Sequence, residues 1–201
     1  VKTKMGIASF NESIAFEIND IIKSFFPSKL EIMSSFIEAG LYDPCGITHP
    51  ANVVFNAGRI GNQQEFYFYK EGITKETAQF LDVLDNERIL IGQKLGLNLP
   101  PFYEVMNSYY DLSFTSIYDF YKLSPIHNKK TFCPDSISHR YVSEDVPYSL
   151  VPWYSLGERL GYQATSMKNI IEITSTMNKT KYYEKGRIIT DLQLKEFHSC
   201  G

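Results

Sequence analysis

The longest regular stretch in the chain opens at Thr74, which can cap a helix, and closes near Gly96. Phe80, Leu81, Leu84, Ile91 and Leu95 recur at helical spacing on one side of it, while Asp82, Asp85, Glu87, Arg88 and Lys94 carry charge. A helix with one apolar face has to be buried against other helices. The flanking sequence supplies them. The spacing predicts a helix over Leu30–Leu41, with Leu30, Met33, Phe36, Ile37 and Leu41 on one face, and Asp43-Pro44-Cys45-Gly46 then reads as a turn. His49-Pro50 leads into a helical stretch over Ala51–Gly58. Pro100 and Pro101 open a helix through Tyr109, Thr115–Leu123 makes another, and Ser166–Met177 is the last clear one, with Gly186-Arg187 before a short tail. Glu65–Lys70, rich in aromatics, reads as a strand or an extended loop, and Ser124–Asp135 as the longest loop.

The front of the chain is different. Lys4–Phe10 is a short, mostly apolar run that fits a buried strand. Asn11 or Ser13 can cap a following helix with Ile14, Ile18, Ile21, Ile22 and Phe25 at helical spacing, which Pro27 ends. One strand and one helix cannot form a sheet alone, so residues 1–29 read as the tail of a larger α/β unit and residues 30–201 as a helical domain. The expected fold is mainly α, a bundle-like domain preceded by one βα unit.

Composition sets outer bounds. Hydrophobic residues are 43% of the chain and charged residues 21%, which excludes a disordered polyelectrolyte. The net charge is −3 and no basic run occurs, which argues against a nucleic-acid partner. Cys45, Cys133 and Cys200 are widely spaced with no Cys-x-x-Cys pair, so the spacing signals neither a disulfide framework nor a metal site. No apolar run approaches a membrane span, and Val1-Lys2-Thr3-Lys4 leads into no signal peptide. The expected setting is cytoplasmic and soluble. The chain starts without methionine, so an upstream portion is expected to be missing.

Chemistry candidates are few. The segment from His139 to Pro152 packs an arginine, two acids and a proline-marked helix start together. Pro147 suits a first helical turn, Ser143 or Asp145 can cap it, and Arg140 would lie just outside, free to hold a carboxylate. Taken alone, this stretch reads first as a capped helix with a solvated salt bridge. His49, after a turn and before a helix, could face a cleft and exchange a proton near neutral pH, with Asp145 fixing its tautomer if the fold joins them. Otherwise it is a hydrogen-bonded turn residue. His127, His139 and His198 have no metal-ligand spacing and read as surface histidines. Arg88 can pair with Asp85 on its own helix, and Arg59 and Arg187 read first as helix-end ion pairs. No Gly-x-Gly-x-x-Gly occurs, so the chain carries no dinucleotide fingerprint of its own.

Four of these segments occur in a familiar order: His49-Pro50-Ala51-Asn52-Val53-Val54-Phe55-Asn56-Ala57-Gly58-Arg59-Ile60, Phe66-Tyr67-Phe68-Tyr69, Asp85-Asn86-Glu87-Arg88, and Arg140 through Tyr148. Together they resemble the octopine/nopaline (opine) dehydrogenase family, over its α-helical catalytic domain from about Leu30 to Gly186. The opening βα unit is similar to the last one of that family's Rossmann domain.

The resemblance implies an enzyme that joins the amino group of an amino acid to a 2-oxo acid such as pyruvate and reduces the product with NADH or NADPH. The cofactor would be bound mainly by the missing N-terminal domain. His49 looks like the catalytic histidine, Asp145 like its carboxylate partner and Arg140 like the arginine that holds a substrate carboxylate. No nucleic acid or membrane partner is implied, and a homodimer is left open. The chain departs from the family where an asparagine often stands four residues before the histidine; here that residue is Cys45. Two rivals stand beside this reading: a 2-hydroxy-acid dehydrogenase on the same two-domain plan, and a non-catalytic ligand-binding or dimerisation module.

Overall fold

A computed structural model describes residues 2–9, 12–129 and 131–190. Strand β1 (Lys4–Ile7) and helix α1 (Glu12–Ile22) take the expected places, but the next element is a second strand, β2 (Lys29–Ile32). The two strands run parallel, pairing Lys4 with Lys29 and Ile7 with Ile32. This corrects the helix expected from Leu30. Lys29-Leu30-Glu31-Ile32 alternates exposed and half-buried residues, a period of two, and β1 supplies the ladder that helix-period counting could not see. The boundary expected after residue 29 therefore runs through β2. Ser13 lies inside α1, and Asn11 lies outside the described residues, as do His198 and Cys200.

The helical domain starts with α2 (Phe36–Leu41), where the Ser35 hydroxyl accepts from Glu38 N–H at 3.1 Å. Next come α3 (Cys45–Phe55), α4 (Ala57–Gly61) and the long α5 (Lys75–Lys94), whose Thr74 cap accepts from Thr77 N–H at 3.2 Å. Glu65–Lys70 is a loop, extended to Tyr67, which is bridged to Phe132, and turning from Phe68 onward. Helices α6 (Phe102–Tyr110) and α7 (Ile117–Leu123) follow, and the backbone N–H of Thr3 donates to Tyr109, docking the small sheet on α6. The chain continues through α8 (Arg140–Ser143), a π-helical turn (Val146–Leu150), α9 (Val151–Arg159), α10 (Thr165–Met177) and α11 (Tyr182–Lys185). The domain is thus mainly helical, and α5 runs through its core with Leu81, Leu84 and Ile91 fully enclosed.

Two polar devices on α5 hold its neighbours. Arg88 is 1% exposed; its Nε donates to Asp85 at 2.8 Å, and its other nitrogens reach the carbonyls of Leu41 and Pro100. Asp85 also accepts from Phe102 N–H, at the start of α6. The Glu87 carboxylate accepts from the N–H groups of Ser166 and Met167, in the first turn of α10, where a helix dipole favours negative charge. Asp85-Asn86-Glu87-Arg88 is therefore a staple joining α2, α5, α6 and α10.

Pro152 widens its helix instead of breaking it. In a π turn the carbonyl of Pro147 would look for the N–H of residue 152, which proline lacks. Arg187 N–H occupies that carbonyl at 2.9 Å, so the segment after α11 is strapped across the turn. Gly186 permits the approach: a Cβ there would lie 2.7 Å from Val151 Cγ1 and 2.8 Å from the Pro147 oxygen.

Candidate active site

His49 lies inside α3, not in the turn expected ahead of it. The Asp43 carboxylate accepts from Cys45 N–H and starts the helix there, and Gly46 lets α3 approach closely, since a Cβ would meet Ser149 and Trp153 within 3 Å. Pro50, inside the helix, has no N–H to give the Gly46 carbonyl.

The imidazole is held on three sides. Its Nδ1 lies 2.6 Å from Asp145 Oδ2, and its Nε2 lies 2.9 Å from the Tyr69 hydroxyl. Tyr141 stacks on the ring, with centroids 4.0 Å apart and planes 25° from parallel. Asp145 can only accept as a carboxylate, so the Nδ1–H points to it and Nε2 is the working nitrogen. The side chains of His49 and Asp145 keep 13% and 18% of their exposure, so the pair is shielded yet reachable.

Asp145 is free for this role because it caps nothing. The capping expected of Ser143 or Asp145 does not occur: Ser143 is the last residue of α8, and the Nδ1 of His139 accepts from Tyr141 N–H instead. The joint between α8 and the π turn turns Asp145 toward α3.

Tyr69 reaches Nε2 from the loop after α4, which two buried asparagines secure. Asn52 donates to the Phe68 carbonyl at 2.8 Å, and Asn56 donates to Asn52 and to the Gly72 carbonyl. Gly72 fits there because a Cβ would fall 2.2 Å from the Phe68 oxygen. Burial, with Tyr121 and Tyr141 nearby, pushes the Tyr69 hydroxyl well above its ordinary range, so it stays protonated. Behind it, Tyr121 stacks at 5.0 Å and shares a 2.7 Å hydrogen bond with Thr48, one residue before His49. His127 stands edge-on to Tyr69, Tyr110 and Tyr121, and burial together with His49 lowers its imidazole to about 4. The surface histidine expected at 127 is thus part of the wall behind the site, kept neutral.

Arg140 lies ahead of the Pro147 turn, as the first residue of the separate short helix α8, and its guanidinium lies 3.1 Å from Glu144 one turn on, with 69% of the side chain exposed. It stands beside Tyr141, which touches the imidazole. Arg88 pairs with Asp85 as expected. Arg59 lies over the Phe66 ring at 3.7 Å, a cation–π contact in place of the expected ion pair. Cys45 joins the group through helical spacing: its Sγ, a ring nitrogen of His49 and an Asp145 oxygen all lie within 4.8 Å of one another. Burial and the carboxylates of Asp43 and Asp145 push this thiol up to about 12. Sequence reasoning singled out His49 and Asp145. It gave no role to Tyr69, Tyr141, Asn52 and His127, although Phe66-Tyr67-Phe68-Tyr69 and Arg140-Tyr141 were already conspicuous segments.

The described chain is thus a mainly helical domain with a His–Asp pair under an aromatic wall. Residues 32–178 match the family described as NAD/NADP octopine/nopaline dehydrogenase, alpha-helical domain, and the chain belongs to that family. It is similar to "Protein ocs" of Agrobacterium tumefaciens (strain Ach5), 25% identical over 97% of this chain and 54% of that one. It is also similar to the vitopine synthase of Allorhizobium ampelinum, 24% identical over 88% of this chain and 50% of that protein. The chain spans about half the length of these curated relatives. In fold it resembles the structure of octopine dehydrogenase in complex with NADH and agmatine, with a TM-score of 0.67 and 15% identity over 92% of this chain and 56% of that one. The octopine dehydrogenase complex with NADH and L-arginine aligns at 0.63, with 17% identity over 80% of this chain and 45% of that one. No helix among the described residues is long and apolar enough to cross a membrane.

Proposed function

We propose that this chain is the substrate and catalytic part of an opine dehydrogenase, which condenses an amino acid with a 2-oxo acid such as pyruvate and reduces the product with NADH or NADPH. The observation that carries the proposal is the 2.6 Å His49–Asp145 bond inside a domain of this family. When the amino group has added to the oxo-acid carbonyl, the carbinolamine must lose water. A protonated His49 donates from Nε2 to the departing oxygen, and the adjacent Asp145 carboxylate stabilises the imidazolium that makes this donation possible. Tyr69 marks where a polar oxygen sits against Nε2, and its firmly held proton makes it a donor to the same substrate oxygen. Arg140 takes the substrate carboxylate by exchanging its exposed Glu144 partner, a pair worth roughly 0–1 kcal/mol and easily given up.

The cofactor is assigned to a Rossmann domain upstream, of which residues 1–29 would be the tail. Among the described residues, Ala8 and Ser9 follow β1 without a glycine-rich turn. The exposed apolar residues Ile14, Ile18 and Ile21 on α1 support the assignment, since a two-stranded sheet with one helix leaves such a face without cover.

The test is NADH or NADPH oxidation by the full-length protein given pyruvate with and without amino acids. Oxidation that requires both is expected; oxidation with pyruvate alone would instead make it a hydroxy-acid dehydrogenase. His49→Ala should lower turnover by about 10²–10⁴-fold in a folded protein. Arg140→Ala should chiefly raise the KM for the oxo acid.

A further inference from the structure

The geometry points to Cys45, His49 and Asp145 as a binding site for a thiophilic divalent cation, with Zn2+ the best fit, which when filled closes the catalytic pair to substrate. Cys45 and His49 are one turn apart on the same face of α3, and Asp145 faces them from the joint between α8 and the π turn. Their ligand atoms lie within 4.8 Å of one another. Tetrahedral zinc, with bonds of about 2.0–2.3 Å, places its ligands about 3.3–3.8 Å apart, so rotations of about 1 Å close the set. Thiolate, imidazole and carboxylate are zinc ligands, and three of them leave a fourth position for water.

The charge of the pocket favours a dication. The Asp43 carboxylate at the Cys45 N–H and the Asp145 carboxylate in the set put negative charge beside the thiol, which a dication offsets. Whichever ring nitrogen takes the ion, the other keeps the imidazole's single proton, so binding releases one proton, from Cys45 Sγ to solvent. Backbone anchors keep the set in place: Cys45 N–H donates to Asp43, whose other oxygen accepts from Ser149 at 2.5 Å. Both His49 and Asp145 retain some exposure, so an ion can enter without unfolding the site.

Binding itself is independent of the proposed reaction; the inhibition it causes rests on His49 being the acid of that reaction. The deciding experiment adds Co2+ to the full-length protein and follows the near-ultraviolet thiolate-to-cobalt charge-transfer band. It is run on wild type, Cys45→Ser and Cys45→Asn, with circular dichroism to show that each variant is folded. A band in the wild type that both variants lose is expected, and Zn2+ should bleach it. In the oxidation assay, half-inhibition by Zn2+ should then need at least about tenfold more metal in each variant, measured against that variant's own uninhibited rate. The absence of a Cys45-dependent band overturns the site whatever the enzyme's activity, and equal Zn2+ sensitivity of wild type and variants overturns the inhibition. A protein that shows the band but oxidises no cofactor with any substrate keeps the metal site and sinks the opine reading.

Discussion

At His49 both ring nitrogens are already engaged, Nδ1 by Asp145 and Nε2 by Tyr69, and the ring face is covered by Tyr141. Such a ring can work as an acid at one nitrogen only because the other is committed. Asp145→Asn keeps the shape but removes the charge that supports an imidazolium. It should cut kcat by about 10²–10⁴-fold with little change in the thermal midpoint. A second residue-scale effect comes from His127. Its folded pKa, about 4, lies below the ordinary 6.5, so the folded state prefers it neutral. Its contribution is fully present above pH 6.5 and is lost as the pH falls from there through about 4, amounting to at most about 3 kcal/mol. His127→Gln should flatten the fall of the urea midpoint between those pH values; an unaltered slope would remove this account. The chemical type of His49 and Asp145 was legible in the sequence. Their contact was implied only by the family resemblance, because they are separated by 96 positions and no local pattern encodes it.

Among the elements, the π turn has the most specific requirement. Pro152 removes a donor, Arg187 replaces it from the far end of the chain, and Gly186 leaves room for the replacement. Gly186→Ala should lower stability by about 1–3 kcal/mol, because the added carbon meets a backbone oxygen and a packed valine. Gly58→Ala, exposed in α4 with nothing near the added carbon, is the control and should be neutral or stabilising by up to about 1 kcal/mol. Thermal melts of the two variants separate packing from propensity. The missing donor at Pro152 follows from its residue type alone; the widened turn depends on a partner supplied from outside the helix. The same logic explains β2. Leu30, Met33, Phe36, Ile37 and Leu41 do recur at helical spacing, but a neighbouring strand and the Ser35 cap divide the run in two.

Across the whole molecule, Arg88 links α2, α5 and the start of α6 from a position with 1% exposure. Arg88→Ala leaves Asp85 buried beside a void and frees two carbonyls. It should cost about 3–5 kcal/mol in urea unfolding, well beyond an exposed pair such as Lys168–Glu172. Periodicity, caps and prolines established a mainly helical chain with α5 at its centre, because those signals act within a few residues of each other. The strand pairing of residues 29–32, the entry of His49 into a helix, and the gathering of Tyr69, Tyr141 and Asp145 around it depend on segments far apart in sequence. Hydrogen bonds and packing at those distances form only when the core closes, so they belong to the folded state and not to any stretch of the chain.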